Sequence, residues 1–294
     1  MYCRLNQHLQ TNNVVATEQY RFRKALSTEH ANFSLIDNIL MAWNKNIHIG
    51  GIFYDLTKAF DCVNHDVLTA GLEHYGIHES TINRFKSYLP NRRQRTKLSI
   101  NKGQMYYSTW EIVKQGVPQG SVLGPLLFYY IYINVLPMSV KHVSKAILFS
   151  DDTSVIVTDK DFDSFRQKTY LALTSLNQWF LYNQLVLNIT KTKVIKFTPK
   201  TTAHAPLDIY YKDNVIDEVK STKFLGTLID NHKNWNNHVE HILPKLSAAC
   251  FSKKEFNSPF KSGYFAYGLL SKLSFSTSLR NNLMRKFNTC ASSI

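Results

Sequence analysis

Cysteine is scarce in this sequence, and the four that occur, Cys3, Cys62, Cys250 and Cys290, lie far apart. Disulfide-rich proteins are small and place an even number of cysteines at short spacings. The pattern therefore excludes that class and favours a reducing compartment. The segment at residues 6–13 is polar, whereas a secretory signal needs a basic start followed by an apolar stretch, so we expect an intracellular protein, nuclear or cytoplasmic, that is not secreted.

Long apolar runs are also missing. The most apolar segment extends from Val122 to Pro137 and is interrupted by Pro125 and Asn134. It falls short of the roughly 20 apolar residues that a helix needs to cross a bilayer. We therefore expect no membrane partner and interpret this segment as buried core.

Acidic residues are few relative to basic ones, since 21 Asp and Glu stand against 35 Lys and Arg, a formal charge of +14. A protein this basic attracts polyanions, and nucleic acid is the first candidate. The alternative is a basic protein without a polyanionic partner. The hydrophobic fraction of 44% is enough for a packed core, which argues against wholesale disorder.

Hydrophobic periodicity predicts an α+β fold, with an antiparallel sheet backed by helices in the ferredoxin-like plan. Gly50 and Gly51 are expected to break the chain before a short strand at 52–54. Thr57 is expected to cap a helix that stops at Gly76. Further helices are predicted at 33–43, 162–182 and after 231, and further strands at 146–149, 154–157, 194–197, 223–226 and 227–229.

Three carboxylates form the candidate metal site. Asp55 follows the predicted strand, and Asp151 with Asp152 occupies the turn of a predicted hairpin. Carboxylate oxygens are the ligands that Mg²⁺ prefers, and phosphoryl transfer uses two such ions about 3.5–4 Å apart. The alternatives are a helix cap at Asp55 and a solvated turn at the pair.

A glycine-bearing loop lies between these acidic positions. Gly116 and Gly120 allow backbone to approach a ligand closely, Pro118 stiffens the loop, and Ser121 can cap the helix that follows. The N-terminus of that helix would offer free amides to an anion. The alternative is a tight turn that only starts the helix.

Five segments in this order resemble a known family. They are FYDLTKAFDCVNH at 53–65, GVPQGSVLGP at 116–125, FSDDT at 149–153, LNITKTK at 187–193 and FLG at 224–226. Together they resemble the reverse transcriptases of non-LTR retrotransposons, particularly the jockey-like group. The resemblance covers about residues 2–249.

The resemblance implies an RNA-directed DNA polymerase with the palm of a right-hand polymerase. Residues 1–50 would be a fingers-side remnant, 51–230 the palm, and 231–294 a partial, degenerate thumb-like segment. Asp55 and Asp151 would be the principal ligands of two Mg²⁺ ions, with Asp152 in support. The implied partners are an RNA template, a DNA primer and deoxynucleoside triphosphates.

The resemblance also assigns residues to the nucleotide site. Phe60 would be the steric gate that excludes a ribose 2′-hydroxyl. Gln119 and Gly120 would line the nucleotide and template site, and Lys191 would face the phosphates.

A basic stretch supplies the candidate contacts to nucleic acid. Arg92, Arg93 and Arg95 could touch a phosphate backbone, and the alternative is a solvated surface strand.

The chain departs from the family pattern at several places. Arg21 stands where the family usually has glycine, which would be strained if the backbone there had positive φ, and Ser150 replaces the usual alanine. Most of the upstream fingers strands are expected to be absent, and the thumb pattern is lost after Cys250. We therefore expect at best weak primer extension. The alternatives are a non-catalytic nucleic-acid-binding remnant of a polymerase, or a relic without function.

Overall fold

The computed structural model describes residues 1–254 apart from residues 22, 24, 91, 101–103, 151, 200–205, 212–213 and 233–234. Asp151 therefore lies outside the described residues, and so does the part of the predicted thumb-like segment beyond residue 254.

The described helices include the predicted ones. The closest agreement is the helix from Phe162 to Tyr182, which has the predicted bounds, because Asp161 caps it by accepting a hydrogen bond from the Ser164 amide at 2.8 Å. The helices are α1 (Tyr2–Thr11), α2 (Thr28–Asn44), α3 (His65–His74), α4 (Glu79–Tyr88), α5 (Leu123–Leu126), α6 (Leu136–Val140), α7 (Phe162–Tyr182) and α8 (Asn236–Lys254). Helix α2 starts at Thr28 and not at Phe33, and α1 and α4 were not predicted.

The described strands form one four-stranded sheet and several two-stranded pairs. They are β1 (His48–Tyr54), β2 (Leu56–Thr57), β3 (Arg92–Gln94), β4 (Lys97–Ile100), β5 (Gln104–Tyr107), β6 (Glu111–Val113), β7 (Lys145–Phe149), β8 (Asp152–Asp159), β9 (Val186–Leu187), β10 (Lys193–Phe197), β11 (Tyr210–Tyr211), β12 (Asn214–Val215), β13 (Ser221–Phe224) and β14 (Thr227–Asp230).

The central sheet has the strand order β10-β1-β8-β7, and all its neighbouring strands are antiparallel. Its strands and the helices between them follow the order β-α-β-β-α-β along the chain, which is the ferredoxin-like plan. The predicted helix-backed antiparallel sheet is therefore confirmed. In the register of β1 and β8, Tyr54 pairs with Thr153, so Asp55 and Asp152 lie at the same end of the sheet.

Side chains alternate between the two faces of this sheet. One face carries Ile52, Val155 and Val194 into a large core shared with α3 and α7. The opposite face carries Ile49, Ile147 and Ile195 into a smaller core under α2. Because both faces of the sheet are buried, its strands are held rigidly and can position side chains at their ends.

The prediction that Gly50 and Gly51 break the chain is wrong, because both lie inside β1. A Cβ atom on Gly50 would lie 2.9 Å from Cζ of Phe165, and one on Gly51 would lie 2.9 Å from Cε2 of Phe53. The glycines are thus used for close packing of aromatic rings on the strand.

The helix predicted to start at Thr57 begins later, at His65. Thr57 instead pairs with Val186 in the short β2–β9 ladder. The cap is Asn64, whose side chain accepts hydrogen bonds from the amides of Asp66 and Val67 at 2.8 and 3.0 Å. The predicted stop is confirmed, since the helix ends just before Gly76, which has φ of +82°.

The segment predicted at 122–137 as buried core is mostly buried, although Val122 and Val135 are exposed, and its helical part extends to Val140. It comprises α5, a π-helical turn at Leu127–Tyr132 and α6. Its apolar window is long enough for a membrane span by composition alone, but 78% of that window is buried inside the protein.

Strands β3 to β6 form a two-part hairpin, which we call the β-ribbon (residues 92–100 and 104–113). Arg93 pairs with Ile112 at its base, and Lys97 pairs with Tyr107 further out. Its large apolar side chains are exposed to solvent. They are Leu98, Ile100, Met105, Tyr106, Tyr107, Trp110 and Ile112.

Candidate active site

Asp55 is the first residue after β1, at the end of a buried strand. Its side chain is 42% exposed, and Oδ2 lies 3.7 Å from Nζ of Lys191. Its carbonyl oxygen accepts a hydrogen bond from the Asn188 amide at 2.9 Å. The backbone of Asp55 is thus tied to the segment that carries Lys191, while its carboxylate stays open to solvent.

Asp152 is the first residue of β8 and pairs with Phe149 across the hairpin. Asp55 and Asp152 both line a pocket of about 340 Å³, together with Lys191, Lys193 and Lys223. The predicted convergence of Asp55 with Asp152 therefore agrees with the structure. Mutual repulsion of two carboxylates in one pocket would be relieved by cations.

Within the described residues, no group of three or more His, Cys, Asp or Glu side chains forms a ready metal cluster. Asp151, the third predicted ligand, is outside those residues. The three-carboxylate metal site therefore stays a prediction.

Lys191 lies in the loop between β9 and β10. Its amide donates to the carbonyl oxygen of Asn188 at 3.2 Å, and its side chain is 69% exposed. A lysine with this freedom can keep its contact with Asp55 or swing toward an anion in the pocket. Attraction between two such exposed groups contributes little to stability, so the pair matters for the charge of the site.

The loop at 116–121 docks on the segment that follows Asp55. The Gly116 amide donates to the Val63 carbonyl at 2.7 Å, and the Val117 amide donates to the Phe60 carbonyl at 2.9 Å. Gly116 has φ of +87°, and a Cβ there would lie 2.9 Å from Cα of Asp61. The close approach predicted for this glycine is therefore made to protein backbone.

Gly120 differs from Gly116, although both have positive φ. It is exposed, and a Cβ on it would meet nothing within 4 Å. Next to it, the exposed Gln119 donates from Nε2 to Oδ1 of Asp61 at 3.4 Å. Gly120 and Gln119 are thus open to a ligand, as their predicted role requires.

The prediction that Ser121 caps the following helix is off by one residue, because Val122 is the N-cap of α5 and Ser121 precedes it. The Ser121 hydroxyl accepts a hydrogen bond from the Gly124 amide at 2.9 Å and donates to the Pro118 carbonyl at 2.8 Å. These two bonds fix the end of the loop against the buried segment.

Phe60, the predicted gate, is half-buried beside the glycine loop. Its ring stacks on Phe128 with centroids 4.8 Å apart and contacts the Tyr129 ring edge to face at 5.6 Å. The Phe60 ring therefore packs against two rings of the π-helical turn.

The three arginines have different surroundings. Arg92 donates to the carbonyl oxygens of Leu89 and Gly116 at 3.0 and 2.8 Å, so it holds the glycine loop. Arg95 lies over the rings of Tyr107 and Trp110, 4.2 and 4.5 Å from their centroids. Contact with nucleic acid stays a prediction for all three, and Arg93 and Arg95 are the exposed ones.

His65 is a site residue to which the sequence analysis assigned no role. It is buried, and its Nε2 lies 2.8 Å from the same Gly116 carbonyl that Arg92 contacts. Since a carbonyl only accepts, the Nε2–H tautomer donates here. The two partners are distant from Gly116 in sequence, so no local pattern could have indicated the contact.

Arg21 does not have the positive φ that would strain it at a glycine position. Its amide donates to Oε1 of Gln19 at 2.9 Å, and its guanidinium lies over the Phe149 ring at 5.3 Å. This departure from the family pattern is therefore accommodated beside the acidic hairpin.

Known proteins match the part of the chain that contains these motifs. A family model for the reverse transcriptase (RNA-dependent DNA polymerase) matches residues 1–229. The probable RNA-directed DNA polymerase from transposon BS of Drosophila melanogaster is 28% identical over 249 residues, 81% of this chain and 26% of that protein. The RNA-directed DNA polymerase from mobile element jockey of the same organism is 24% identical over 230 residues, 76% of this chain and 24% of that protein. The chain thus spans about a quarter of the length of these curated relatives.

The chain also resembles a solved structure at the level of the fold. An apo telomerase from Candida tropicalis, truncated from its C-terminal domain, matches with a TM-score of 0.50 and 16% identity, covering 78% of this chain and 43% of that one. Fold, motif order and family model agree, and the chain therefore belongs to the reverse transcriptase family, in agreement with the resemblance to non-LTR retrotransposon enzymes.

Proposed function

We propose that this chain is the catalytic part of an RNA-directed DNA polymerase of a mobile element, which transfers deoxynucleotides to a primer 3′-hydroxyl on an RNA template. The observation that carries the proposal is the convergence of Asp55 and Asp152 at one end of the central sheet, in one pocket with Lys191. Membership in the family and the transposon relatives support it.

In this proposal residues 51–230 are the palm of a right-hand polymerase, 1–50 belong to the fingers side, and 231–294 belong to a thumb-like part. The support for the palm is the ferredoxin-like strand order of the central sheet. The support for a thumb-like part is α8, which follows the β13–β14 pair directly.

Two Mg²⁺ ions would be held by Asp55, Asp151 and Asp152. The residues that the structure describes fit this role, because Asp55 offers an open carboxylate at a rigid strand end and Asp152 lines the same pocket. Bound there, the ions would supply positive charge against the phosphate oxygens.

Side chains of the protein would bind and orient the nucleotide and the template. Phe60 would pack against the sugar edge and crowd a 2′-hydroxyl, while Gln119 and Gly120 would lie along the base and template. Lys191 already lies 3.7 Å from the Asp55 carboxylate. From that position its ammonium could turn to the phosphates and stabilise charge that develops on the leaving group.

The β-ribbon would carry the template strand. The face with Lys97, Arg95 and Tyr107 combines positive charge with an exposed aromatic ring, which suits single-stranded nucleic acid. This basic and aromatic face also favours the second candidate function, a nucleic-acid-binding protein without catalysis.

Primer extension separates the two functions. We expect the chain, given a DNA primer on an RNA template, Mg²⁺ and deoxynucleotides, to add nucleotides only weakly, and we expect EDTA to stop the reaction. Asp152→Asn and Asp151→Asn should each lower the rate by about a hundredfold or more, because each removes a carboxylate that would hold the ions against the phosphate oxygens.

Asp217→Asn is the matched control, since Asp217 is an exposed carboxylate outside the pocket. It should leave the rate unchanged. If the wild-type chain binds the primed template without extending it, the binding function replaces the catalytic one.

A further inference from the structure

The helix after the glycine loop contains an unusual turn. Residues Leu127–Tyr132 are π-helical, and all six are buried. π-Helical turns are rare and occur frequently at functional sites, because the extra residue redirects side chains that an α-helix would space evenly. Here the turn directs the rings of two successive residues, Phe128 and Tyr129, against Phe60.

Tyr129 has a second contact, with the acidic hairpin. The Ser150 hydroxyl donates to the Tyr129 hydroxyl oxygen at 2.5 Å, a short distance even for a bond between hydroxyls. The two residues come from different elements, the π-helical turn and the β7–β8 turn. The Tyr129 side chain therefore bridges the turn that precedes Asp151 and Asp152 to the ring of Phe60.

Ser150 is held in a backbone conformation that serine seldom adopts. Its φ is +65°, in the left-handed region, and it lies between Phe149 and Asp152, which pair across the hairpin. Such strain persists only where surrounding contacts hold the residue in place. The bond to Tyr129 is one such contact, and it gives the Ser150 side chain a function that alanine could not supply.

We infer that the Ser150–Tyr129 hydrogen bond fixes the position of Phe60 and so sharpens discrimination between deoxyribose and ribose in the incoming nucleotide. The inference rests on the proposed function, in which Phe60 faces the sugar. Tyr129 and Ser150 are positioning residues, because they act through Phe60.

The geometry explains how one hydroxyl could alter selectivity. Phe60 meets the Tyr129 ring at an interplanar angle of 87°, so a small rotation of the phenol moves the surface on which Phe60 rests. Rotation about the Cβ–Cγ bond leaves the hydroxyl oxygen in place, since that oxygen lies on the rotation axis, but a swing of the whole side chain about χ1 displaces the oxygen and would break its bond to Ser150. A gate that recedes by a few tenths of an ångström would admit a 2′-hydroxyl more easily, while a deoxynucleotide would still bind.

The first test is a double-mutant cycle on selectivity. Single-nucleotide incorporation on a primed RNA template would be measured with a deoxynucleoside triphosphate and with the matching ribonucleoside triphosphate. Tyr129→Phe and Ser150→Ala should each lower the ratio of the two kcat/KM values by about three- to tenfold, the size of one net hydrogen bond. The double variant should lose no more than either single variant, because both remove the same bond.

Tyr132→Phe is the matched control. Tyr132 belongs to the same π-helical turn and is equally buried, but its hydroxyl donates to the Asn183 carbonyl and accepts from the Asn64 amide. This variant should change the rates with both nucleotides by the same factor and leave their ratio intact. Equal loss of selectivity in all three variants, or additive losses at Tyr129 and Ser150, would overturn the inference.

The second test does not depend on activity. 4-Fluorophenylalanine placed at position 60 reports the surroundings of that ring by ¹⁹F NMR. We expect one narrow resonance in the wild-type background and in Tyr132→Phe, and a shifted or broadened one in Tyr129→Phe and Ser150→Ala. Identical spectra in all four would contradict the inference. A chain with the expected spectra but no primer extension would instead contradict the proposed function.

Discussion

The central sheet and the β-ribbon are both antiparallel, yet they differ in what covers them. Strands β1, β7, β8 and β10 are buried on both faces by helices, and nearly every side chain of β1 is enclosed. The β-ribbon instead holds seven large apolar side chains in solvent, with Trp110 57% exposed. Burial supplies most of the stabilising free energy of a fold, so the sheet contributes far more to stability than the ribbon does.

The difference in burial suits the central sheet and the β-ribbon to different roles. Carboxylates at the end of the sheet are placed by a rigid support, which suits chemistry that requires fixed distances. Exposed apolar and basic side chains on the ribbon suit a surface that is completed by a partner. The sheet should therefore tolerate little change in its core, and the ribbon should tolerate much change without unfolding.

The largest expected effect is at the sheet end. Asp55→Asn should lower primer extension by about a hundredfold or more, because it removes a carboxylate of the proposed metal site. The unfolding midpoint should stay nearly unchanged, because the Asp55 side chain is partly exposed and the substitution removes no contact in the core. On the ribbon, Glu111→Gln removes an exposed carboxylate and should change extension by less than about threefold. Extension rates and denaturation curves measure both. Similar losses for the two variants would show that the sheet end and the ribbon do not differ in their role in extension.

The second prediction concerns the sheet core. Gly50→Val should lower the free energy of unfolding by about 2 kcal/mol, since the new side chain would overlap the Phe165 ring and crowd the Ile195 carbonyl. Ser99→Val on the exposed ribbon strand β4 is the control and should change it by less than about 0.5 kcal/mol. Urea unfolding followed by circular dichroism gives both values, and an equally destabilised control would show that the ribbon is a packed part of the fold.

The third prediction separates the two faces of the ribbon. Lys97 pairs with Tyr107 on one face, whereas Leu98 pairs with Tyr106 on the other. Tyr107→Ala should weaken binding of single-stranded RNA by about 1 kcal/mol or more, because it removes a stacking ring and the support of Arg95.

Leu98→Ser is the control on the opposite face, and it should leave the affinity unchanged. Fluorescence anisotropy with a labelled oligoribonucleotide, repeated at several salt concentrations, measures both variants. Affinity that does not fall with salt would remove the electrostatic part of the proposal.

The smallest effect is expected where α8 meets the β13–β14 pair. The Leu228 amide donates to Nδ1 of the buried His238 at 3.1 Å, and burial, with a smaller contribution from His241, lowers the pKa of His238 below its ordinary value of 6.5. The folded protein then binds fewer protons than the unfolded chain, so this contribution to stability is complete above pH 6.5 and is lost as the pH falls toward the lower pKa of the folded state.

His238→Asn keeps an acceptor for Leu228 and removes the titration. The drop in melting temperature between pH 7.5 and pH 5.5 should therefore be smaller in this variant than in the wild type. Thermal unfolding at the two pH values measures the difference, and equal drops would show that His238 does not titrate in this range.

Local patterns were sufficient to predict much of the fold. Helix α7 has a continuous apolar stripe and a capping aspartate next to it, so its bounds follow from neighbouring residues alone. The β7–β8 hairpin and the strand before Asp55 are also local, which is why two of the predicted carboxylates could be brought to one end of a sheet.

Contacts between distant segments could not be predicted in this way. Gly50 and Gly51 looked like chain breaks because only the folded protein brings aromatic rings against them. Arg92 looked like a surface cation because its carbonyl partner on Gly116 lies 24 residues away. The contact between Tyr129 and Ser150 depends on a π-helical turn, which no sequence periodicity indicated.

Binding of divalent ions at the end of the central sheet can be measured by counting bound Mn²⁺ with electron paramagnetic resonance. The sample would contain the chain, a primer without a 3′-hydroxyl on an RNA template, and the next deoxynucleoside triphosphate. Two ions per complex are expected in the wild type, and at least one should be lost in Asp55→Asn at the same concentrations. An unchanged count in Asp55→Asn, with the complex intact, would show that Asp55 does not hold an ion at the sheet end.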